Sequence, residues 1–425
     1  TATGGAMTNP GVNNGSGGNA RIDLRGLGAS RTLVLVNGRR MIASGTGAAS
    51  TVDLNTIPVS MIKSVEVLKD GASAVYGTDA VAGVVNIILK DDFEGLDMNV
   101  NSAITGEGDA TENSFDFTVG SSFDKGNIVI GMQYTDRGKA KQSDRDFSDC
   151  PISEGANGLN CNGGSVYAEG GHIWQDGTIG DVNKAGESVD ADGNPITSGL
   201  AHQDNGLSGL GGLHPFTDAD RYNFAPDSYL YTPMERLNLT GLATYELSDE
   251  TRLFTEFTYT KRWSEQQMAA QPIWFGFTYD ESMGDSLLGQ TYNSKVDRDG
   301  DVIADRDADG NYITETANYA YGDKIFCGRR MSDTGARYFE QSVDTVRAVI
   351  GADGFIGDYS WDVSANFGRN DSVDKLSNLH NIGSLTDSIM YTNDEGQVVG
   401  TFNPLDQNAW TSEGFRRNVY TEVNN

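Results

Sequence analysis

The residues best suited to chemistry in this chain are aspartates. In VDRDGDVIADRDADGNYITE (Val296 to Glu315), Asp305, Asp307, Asp309 and Gly310 repeat the first half of a calcium loop, with alternating carboxylates and a glycine at the turn. Asp297, Asp299 and Asp301 precede them in the same rhythm. An EF-hand wants a bidentate Glu at the twelfth position, and counting from Asp305 that position is Thr316, with Glu315 one residue early. The run is therefore a candidate calcium-ordered loop of the acidic-repeat kind, set against a simply solvated acidic tip. DADGNP (Asp190 to Pro195) is a weaker echo and reads as a turn.

Catalytic constellations are missing from the rest of the chain. The four histidines, His172, His202, His214 and His380, form no HExxH pair and have no cysteine at metal spacing, so a zinc enzyme is not indicated. Carboxylate pairs are too numerous in so acidic a chain to signify acid–base work. GLGAS and GTDAVAG lack both the GK[ST] of a phosphate loop and the GxGxxG of a dinucleotide site. The expectation is a protein that is not an enzyme and requires no cofactor, structural Ca2+ in a loop being the one candidate ion. Cys150 and Cys161 share one short polar segment and read as a local disulfide of an oxidising compartment, two unpaired thiols being the alternative; Cys327 has no evident partner.

The 425 residues carry 31 Lys+Arg against 60 Asp+Glu, a formal net charge of −29, which would repel a phosphate backbone and excludes nucleic acid as a partner. Divalent cations, neutral glycans and metal chelates fit that charge better. No apolar run reaches the ~18 residues of a spanning helix, but a β-barrel, whose strands alternate lipid-facing and lumen-facing side chains, needs none. The opening TATGGAMTNPGVNNGSGGNA carries neither a basic start nor an apolar core, so it reads as a mature or truncated end.

Two grammars meet near Lys90. Before it, TLVLVNG, SVEVL and VVNIIL are short, continuously apolar runs separated by small residues, as in a compact α/β unit with buried strands. After it the period is two: Ile128, Ile130, Met132 and Tyr134 share one face, and Val129, Gly131, Gln133 and Thr135 the other. Strands are expected at about 93–104, 111–123, 127–140, 234–248, 251–265, 335–354 and 358–372. Tight links (DKGN, SDE, GD) follow the second, fourth and sixth of these, and long insertions follow the third and fifth. Sorting turns to one rim and loops to the other is how an outer-membrane barrel is built. The fold class expected is mainly β: a transmembrane antiparallel β-barrel, incomplete in this chain, with an N-terminal α/β plug in its lumen. The plug is assigned to residues 1–90 and the first barrel strands to 91–425, with long extracellular loops at about 141–233, 266–334 and 373–425. Seven strands, an odd number, imply a fragment of a longer wall.

IDLRGLGASRTLVLVNGRRM (Ile22 to Met41), VDLNTIPVSMIKSVEVLKDGASAVYGTDAVAGVVNIILK (Val52 to Lys90) and the following FEGLDMNV resemble, in order and spacing, the plug core and barrel start of the TonB-dependent outer-membrane transporters. The resemblance implies active import of a scarce ligand, such as an oligosaccharide, a peptide or a metal chelate. It also implies an energy-coupling inner-membrane partner, TonB with its motor complex, which pulls a short N-terminal box; that box is not recognisable here. Outer-membrane lipids and, as in some members, a surface lipoprotein or other extracellular protein are the further partners implied. NGRRMIASGTGAAST is similar to a plug apex, with Arg39, Arg40, Met41 and Ser44 as candidate ligand contacts; pairing of Arg39 and Arg40 with wall carboxylates is the alternative. Arg25 and Glu66 resemble plug positions that make plug–barrel ion pairs. Trp174, Tyr229, Tyr231, Trp263, Trp274, Phe275, Phe277 and Tyr279 would stack on a ligand, pack the loops or, for Trp263 at a strand end, join an interfacial girdle. A passive porin-like channel and a secreted calcium-binding β-rich adhesin are the competing classes.

Overall fold

The computed structural model describes residues 2–3, 19–44, 51–69, 73–155, 158–161, 164–175, 200–202, 213–216, 218–288, 291–295 and 314–424. The acidic run with Asp297, Asp299, Asp301, Asp305, Asp307 and Asp309 lies outside the described residues.

A four-stranded sheet forms the N-terminal unit from β1 (Thr32–Val36), β2 (Arg39–Arg40), β3 (Ile62–Leu68) and β4 (Gly83–Leu89), in the order β2-β1-β4-β3. β1 and β4 run parallel, Thr32 opposite Gly83 through Val36 opposite Ile87. Every residue of TLVLV is buried, as a strand covered on both faces requires. Asn37 and Gly38, both at positive φ (49° and 76°), close the β1–β2 hairpin in the turn that matches strand twist.

The second unit is an eight-stranded antiparallel meander. Its strands are β5 (Gly95–Ala103), β6 (Glu112–Phe123), β7 (Gly126–Arg137), β8 (Met234–Ser248), β9 (Thr251–Met268), β10 (Arg337–Ile356), β11 (Tyr359–His380) and β12 (Tyr420–Asn424). Two-residue links at 124–125, 249–250 and 357–358 share one rim; the long connections 138–233, 269–336 and 381–419 leave from the other. Two expectations need correction. β11 continues to His380, and β12 pairs back on it from His380 opposite Tyr420 to Lys375 opposite Asn424, so 373–425 is not all loop and the strands number eight. The five-residue β12 is too short to show an alternation, and the helices Ile382–Asp387 and Glu413–Val419 that return the chain to the wall separate it from β11.

Period two decides the two faces of this wall. Leu96, Met98, Val100, Ile128, Ile130, Tyr134, Leu239, Leu253, Phe257, Ile350, Val363 and Phe367 are exposed on the outside, an apolar band of the kind that meets lipid. Gln133, Thr135, Asn238, Thr240, Thr258, Thr260, Arg262, Gln341, Thr345 and Arg347 are buried on the inside, where the N-terminal unit lies. β5 and β12 are the sheet's edges, so the wall is an incomplete barrel.

Above the long-loop rim the connections fold together. The strands Leu213–Pro215, Leu200–His202, His172–Gln175, Lys324–Arg330 and Pro272–Thr278 form a sheet in that order. Ile173, Ile273, Phe275, Phe277, Tyr279, Ile325, Cys327, Leu385, Trp410 and Phe415, drawn from three different connections, share one apolar core beneath it. Cys150 and Cys161 form a disulfide across the base of the hairpin Ile152–Gly155/Gly158–Cys161.

Candidate functional site: the interface of plug and wall

The inner unit meets the wall through two kinds of contact. Along β7 and β8 the contact is apolar: Met61, fully buried, packs with Val36, Ile57, Val85 and Leu89 against Val129 and Leu242. Close approach is possible there because the wall places glycine opposite. A Cβ on Gly131 would sit 2.3 Å from Met61 Sδ, and one on Gly120 would sit 2.0 Å from the Phe93 carbonyl oxygen.

Elsewhere the contact is polar, and it climbs the wall in steps. Near the turn rim, Arg39 of β2 reaches β11, its Nη2 2.5 Å from Asp362 Oδ2 and its Nε donating to Ser364 Oγ at 3.1 Å. Its guanidinium carbon lies 4.3 Å from the centre of the Phe254 ring. Next to it, Asn37 Nδ2 donates to Glu256 Oε1 at 3.0 Å, and Glu256 is held by Arg347 at 2.8 Å; both wall charges are buried. Asn37, Arg39, Phe254 and Glu256, with Arg252 and Asp353, line a cavity of about 240 Å³ between plug and wall.

Higher up, the segment Val52–Thr56 is stitched to β8 and β9. Asp53 Oδ2 approaches Arg262 Nε at 3.3 Å, a charge contact without hydrogen-bond alignment, and the two side chains are 2 % and 1 % exposed. Asp53 is fixed for this by its own backbone surroundings: Oδ1 accepts from Ala20 N at 2.9 Å and Asn55 N at 3.0 Å, which also caps the short helix Leu54–Thr56. Arg262 also donates to Asn19 Oδ1 at 2.8 Å and to Gln341. Arg236 donates to Asn55 Oδ1 at 2.7 Å, Asn238 Nδ2 to the Asn55 carbonyl at 2.9 Å, and Thr260 Oγ1 to the Thr56 carbonyl at 3.2 Å.

The residues singled out from sequence fall in different places. Arg39 crosses to the wall. Arg40, half-exposed, bonds inside its own unit, to Asp79 Oδ2 and the Tyr76 carbonyl, both at 2.6 Å, while its own carbonyl accepts from Asn366 of β11 at 3.0 Å. Met41 is buried in the plug–wall core, away from a ligand-facing position. Ser44 is buried, its Oγ accepting from Asp53 N at 3.1 Å. Arg25, in the left-handed conformation at φ 61°, donates to the Ala82 carbonyl at 3.2 Å. Glu66 accepts from Asn86 Nδ2 at 3.0 Å, and Asn86 Oδ1 in turn accepts from Gly38 N at 2.9 Å, pinning the hairpin. The Glu66 contact is thus internal to the plug, on a strand whose residues 63–68 are exposed among the described residues. Of the aromatics, Phe275, Phe277 and Tyr279 pack the loop core, Tyr229 donates to Glu265 at 2.7 Å, and Trp274 stacks on Tyr167 with ring centres 5.5 Å apart.

Asp53, Asn55, Glu256, Arg262 and Arg347 were not singled out from sequence. For Glu256, Arg262 and Arg347 the signal was present: charges at inward positions of strands whose other face is apolar are costly and must find partners. Among the described residues no cluster of three or more His, Cys, Asp or Glu could hold a metal.

A curved wall with an apolar exterior, carrying a folded domain stitched to its polar interior, defines a plugged β-barrel of the membrane. Residues 4–84 match the TonB-dependent Receptor Plug Domain. The N-terminal unit is thus a plug domain of the TonB-dependent receptor kind. Among solved structures it is similar to the ferric enterobactin receptor of Pseudomonas aeruginosa (11 % identity, 91 % of this chain and 47 % of that one, TM-score 0.36). It is similar also to the ferric-catecholate import receptor Fiu of E. coli K12 (11 % identity, 89 % and 46 %, TM-score 0.34). A third is the ferric preacinetobactin receptor BauA of Acinetobacter baumannii (11 % identity, 89 % and 44 %, TM-score 0.36). The chain spans about half the length of these structures.

Proposed function

We propose that the protein imports a scarce solute across the outer membrane of a Gram-negative bacterium, its loop cap outside, by energised displacement of the plug. The coupling partner in this reading is TonB with its motor complex. Residues 1–90 act as the plug and 91–425 as wall and loops. The solute class is an oligosaccharide, a peptide or a metal chelate. The acidic run from Asp297 to Asp309 acts as a calcium-ordered loop.

The observation that carries the reading is the polar stitching of plug to wall. A permanent structural domain would be fixed most simply by apolar packing. Here Arg39, Asn37, Asp53 and Asn55 engage the wall by hydrogen bonds and ion pairs, each worth only about 0.5–3 kcal/mol net because water can replace the partner. Such an interface holds at rest and separates stepwise under a pull. A passive channel would have no use for a plug held in this way.

The test is uptake of a labelled panel of ferric chelates, oligosaccharides and peptides by cells expressing the full-length protein, with and without TonB. The reading expects uptake of at least one member that vanishes without TonB. Uptake that is equal in both strains contradicts it.

A further inference from the structure

Where β9 leaves the wall for the cap, two arginines are buried without a counter-charge. Arg337 opens β10 on its inner face, and Arg330 closes the cap strand Lys324–Arg330; they are 6 % and 4 % exposed. Each is held by one of two successive carbonyls, Arg337 Nε donating to Ala269 O and Arg330 Nη1 to Ala270 O, both at 2.8 Å. Tyr222 lies under the Arg330 guanidinium at 4.8 Å. Beyond these contacts, Arg330 Nε is buried with no acceptor, and neither residue forms an ion pair among the described residues. Asp227, the acid whose charge Arg330 feels, is already the acceptor of the Tyr222 hydroxyl.

That arrangement is unexpected in a chain with 60 acids for 31 basic residues. Lower on the same inner face Arg262 has Asp53 and Arg347 has Glu256, while Arg236 is held by the neutral Asn55 Oδ1 and Thr135 Oγ1. Burial and the charge of Arg337 push the Arg330 guanidinium down to about 10, as expected of cations left to repel each other. Buried cations are retained where something pairs with them, and the planar donor fork of a guanidinium matches the two oxygens of a carboxylate or phosphate.

We propose that Arg330 and Arg337 form an oxyanion-binding site at the mouth of the barrel, which takes a carboxylate or phosphate group of the imported solute. Naming the solute as the source of the anion rests on the import reading above; the binding itself does not. The site favours an anionic chelate, a uronic or phosphorylated sugar or an acidic peptide over neutral ones. It also lets a negatively charged solute approach a negatively charged protein at one defined point.

The experiment is calorimetric titration of the full-length protein, purified in detergent, with citrate and separately with inorganic pyrophosphate at constant ionic strength. Saturable binding of at least one is expected, weakened tenfold or more in R330Q and in R337Q. R337K, which keeps the charge and loses the fork, should fall between R337Q and the wild type. Replacing the exposed Arg369 in R369Q should change nothing. Protection of the buried Cys327 thiol, read on the same samples, shows that the cap is intact. If the Gln variants lose that protection, R337K alone decides, and wild-type affinity there overturns the assignment. So does the lack of saturable binding of either anion, or full binding by the Gln variants. Citrate alone binding identifies a carboxylate site, and pyrophosphate alone a phosphate site. No energy source enters the assay, so a negative result removes this site and leaves the import reading, whereas TonB-independent uptake removes that reading and leaves the binding.

Discussion

Asp53→Asn isolates the charge in the deepest plug–wall contact. Asparagine keeps an Oδ1 that can still accept from Ala20 N and Asn55 N, so the helix cap survives. What disappears is the negative charge 3.3 Å from Arg262 Nε, in a place where both side chains are almost completely buried. The Coulomb energy at that distance is about 5 kcal/mol for an effective dielectric near 20. Relief of the carboxylate's own burial returns part of it, and breaking a buried pair by removing one partner costs about 3–5 kcal/mol in practice. Arg262 keeps its bonds to Asn19 and Ser264, at 2.8 and 2.7 Å, which places the expected loss near the lower end, about 3 kcal/mol. With a urea slope of about 2 kcal/mol/M, the midpoint for plug release should fall by about 1.5 M. The full-length protein in detergent, with a fluorophore on a cysteine replacing the exposed Val75, reads plug release while heat-modified gel mobility reads the wall. D53N should release its plug early with the wall intact. An unchanged D53N midpoint would refute the claim that this pair anchors the plug.

Other expectations concern both units. Gly120→Ala, opposed by the Phe93 backbone, should loosen the plug more than Gly131→Ala, opposed by the flexible end of Met61; urea midpoints for plug release rank the two. His172, buried and stacked on Phe216 with ring centres 3.8 Å apart, is pushed by burial down to about 3. The unfolded cap takes up that proton near pH 6.5 and the folded cap does not, so cap stability is full above pH 6.5. It should fall by about 1.4 kcal/mol per unit as pH drops toward 3; thermal melts of wild type and H172F across that window should converge at low pH. The Arg145 hydrogen bond holds the Asp109 carboxyl below its usual range, so the tie between these connections persists above about pH 4 and is lost in stronger acid. Hydrogen exchange of residues 104–111 in wild type and D109N reads that loss. Burial pushes the Cys327 thiol up to about 12, so a maleimide at pH 8 should leave it unmodified until the cap unfolds.

The wall was legible because its two faces meet different media. Ile128, Ile130 and Tyr134 point outward while Val129, Gly131, Gln133 and Thr135 point inward, and the repeat fixes both the strands and their facing. The plug strands were legible as unbroken apolar runs, TLVLV and GVVNIIL. The cap was not, since Ile173, Phe275 and Trp410 meet in one core from separate connections and no local period announces such a meeting. The plug-to-wall pairs were half legible. Arg39 was named, with wall carboxylates as one of its two readings, but its partner Asp362 lies 323 residues away, and only the folded wall brings the two together. Met41 shows the opposite failure: a residue beside two arginines in a glycine-rich loop reads as ligand-facing, yet its side chain turns into the plug–wall core.

The central claim is that the plug must part from the wall for solute to pass. Asn55 and Asn238 meet across that boundary, the Asn238 amide donating to the Asn55 carbonyl at 2.9 Å. Cysteines at these two positions of the full-length protein, oxidised in living cells, would tether plug to wall, and gel mobility reports the extent of the cross-link. The account predicts that uptake of the panel solute stops in proportion to cross-linking and returns with reductant. Undiminished uptake through fully cross-linked protein would contradict it.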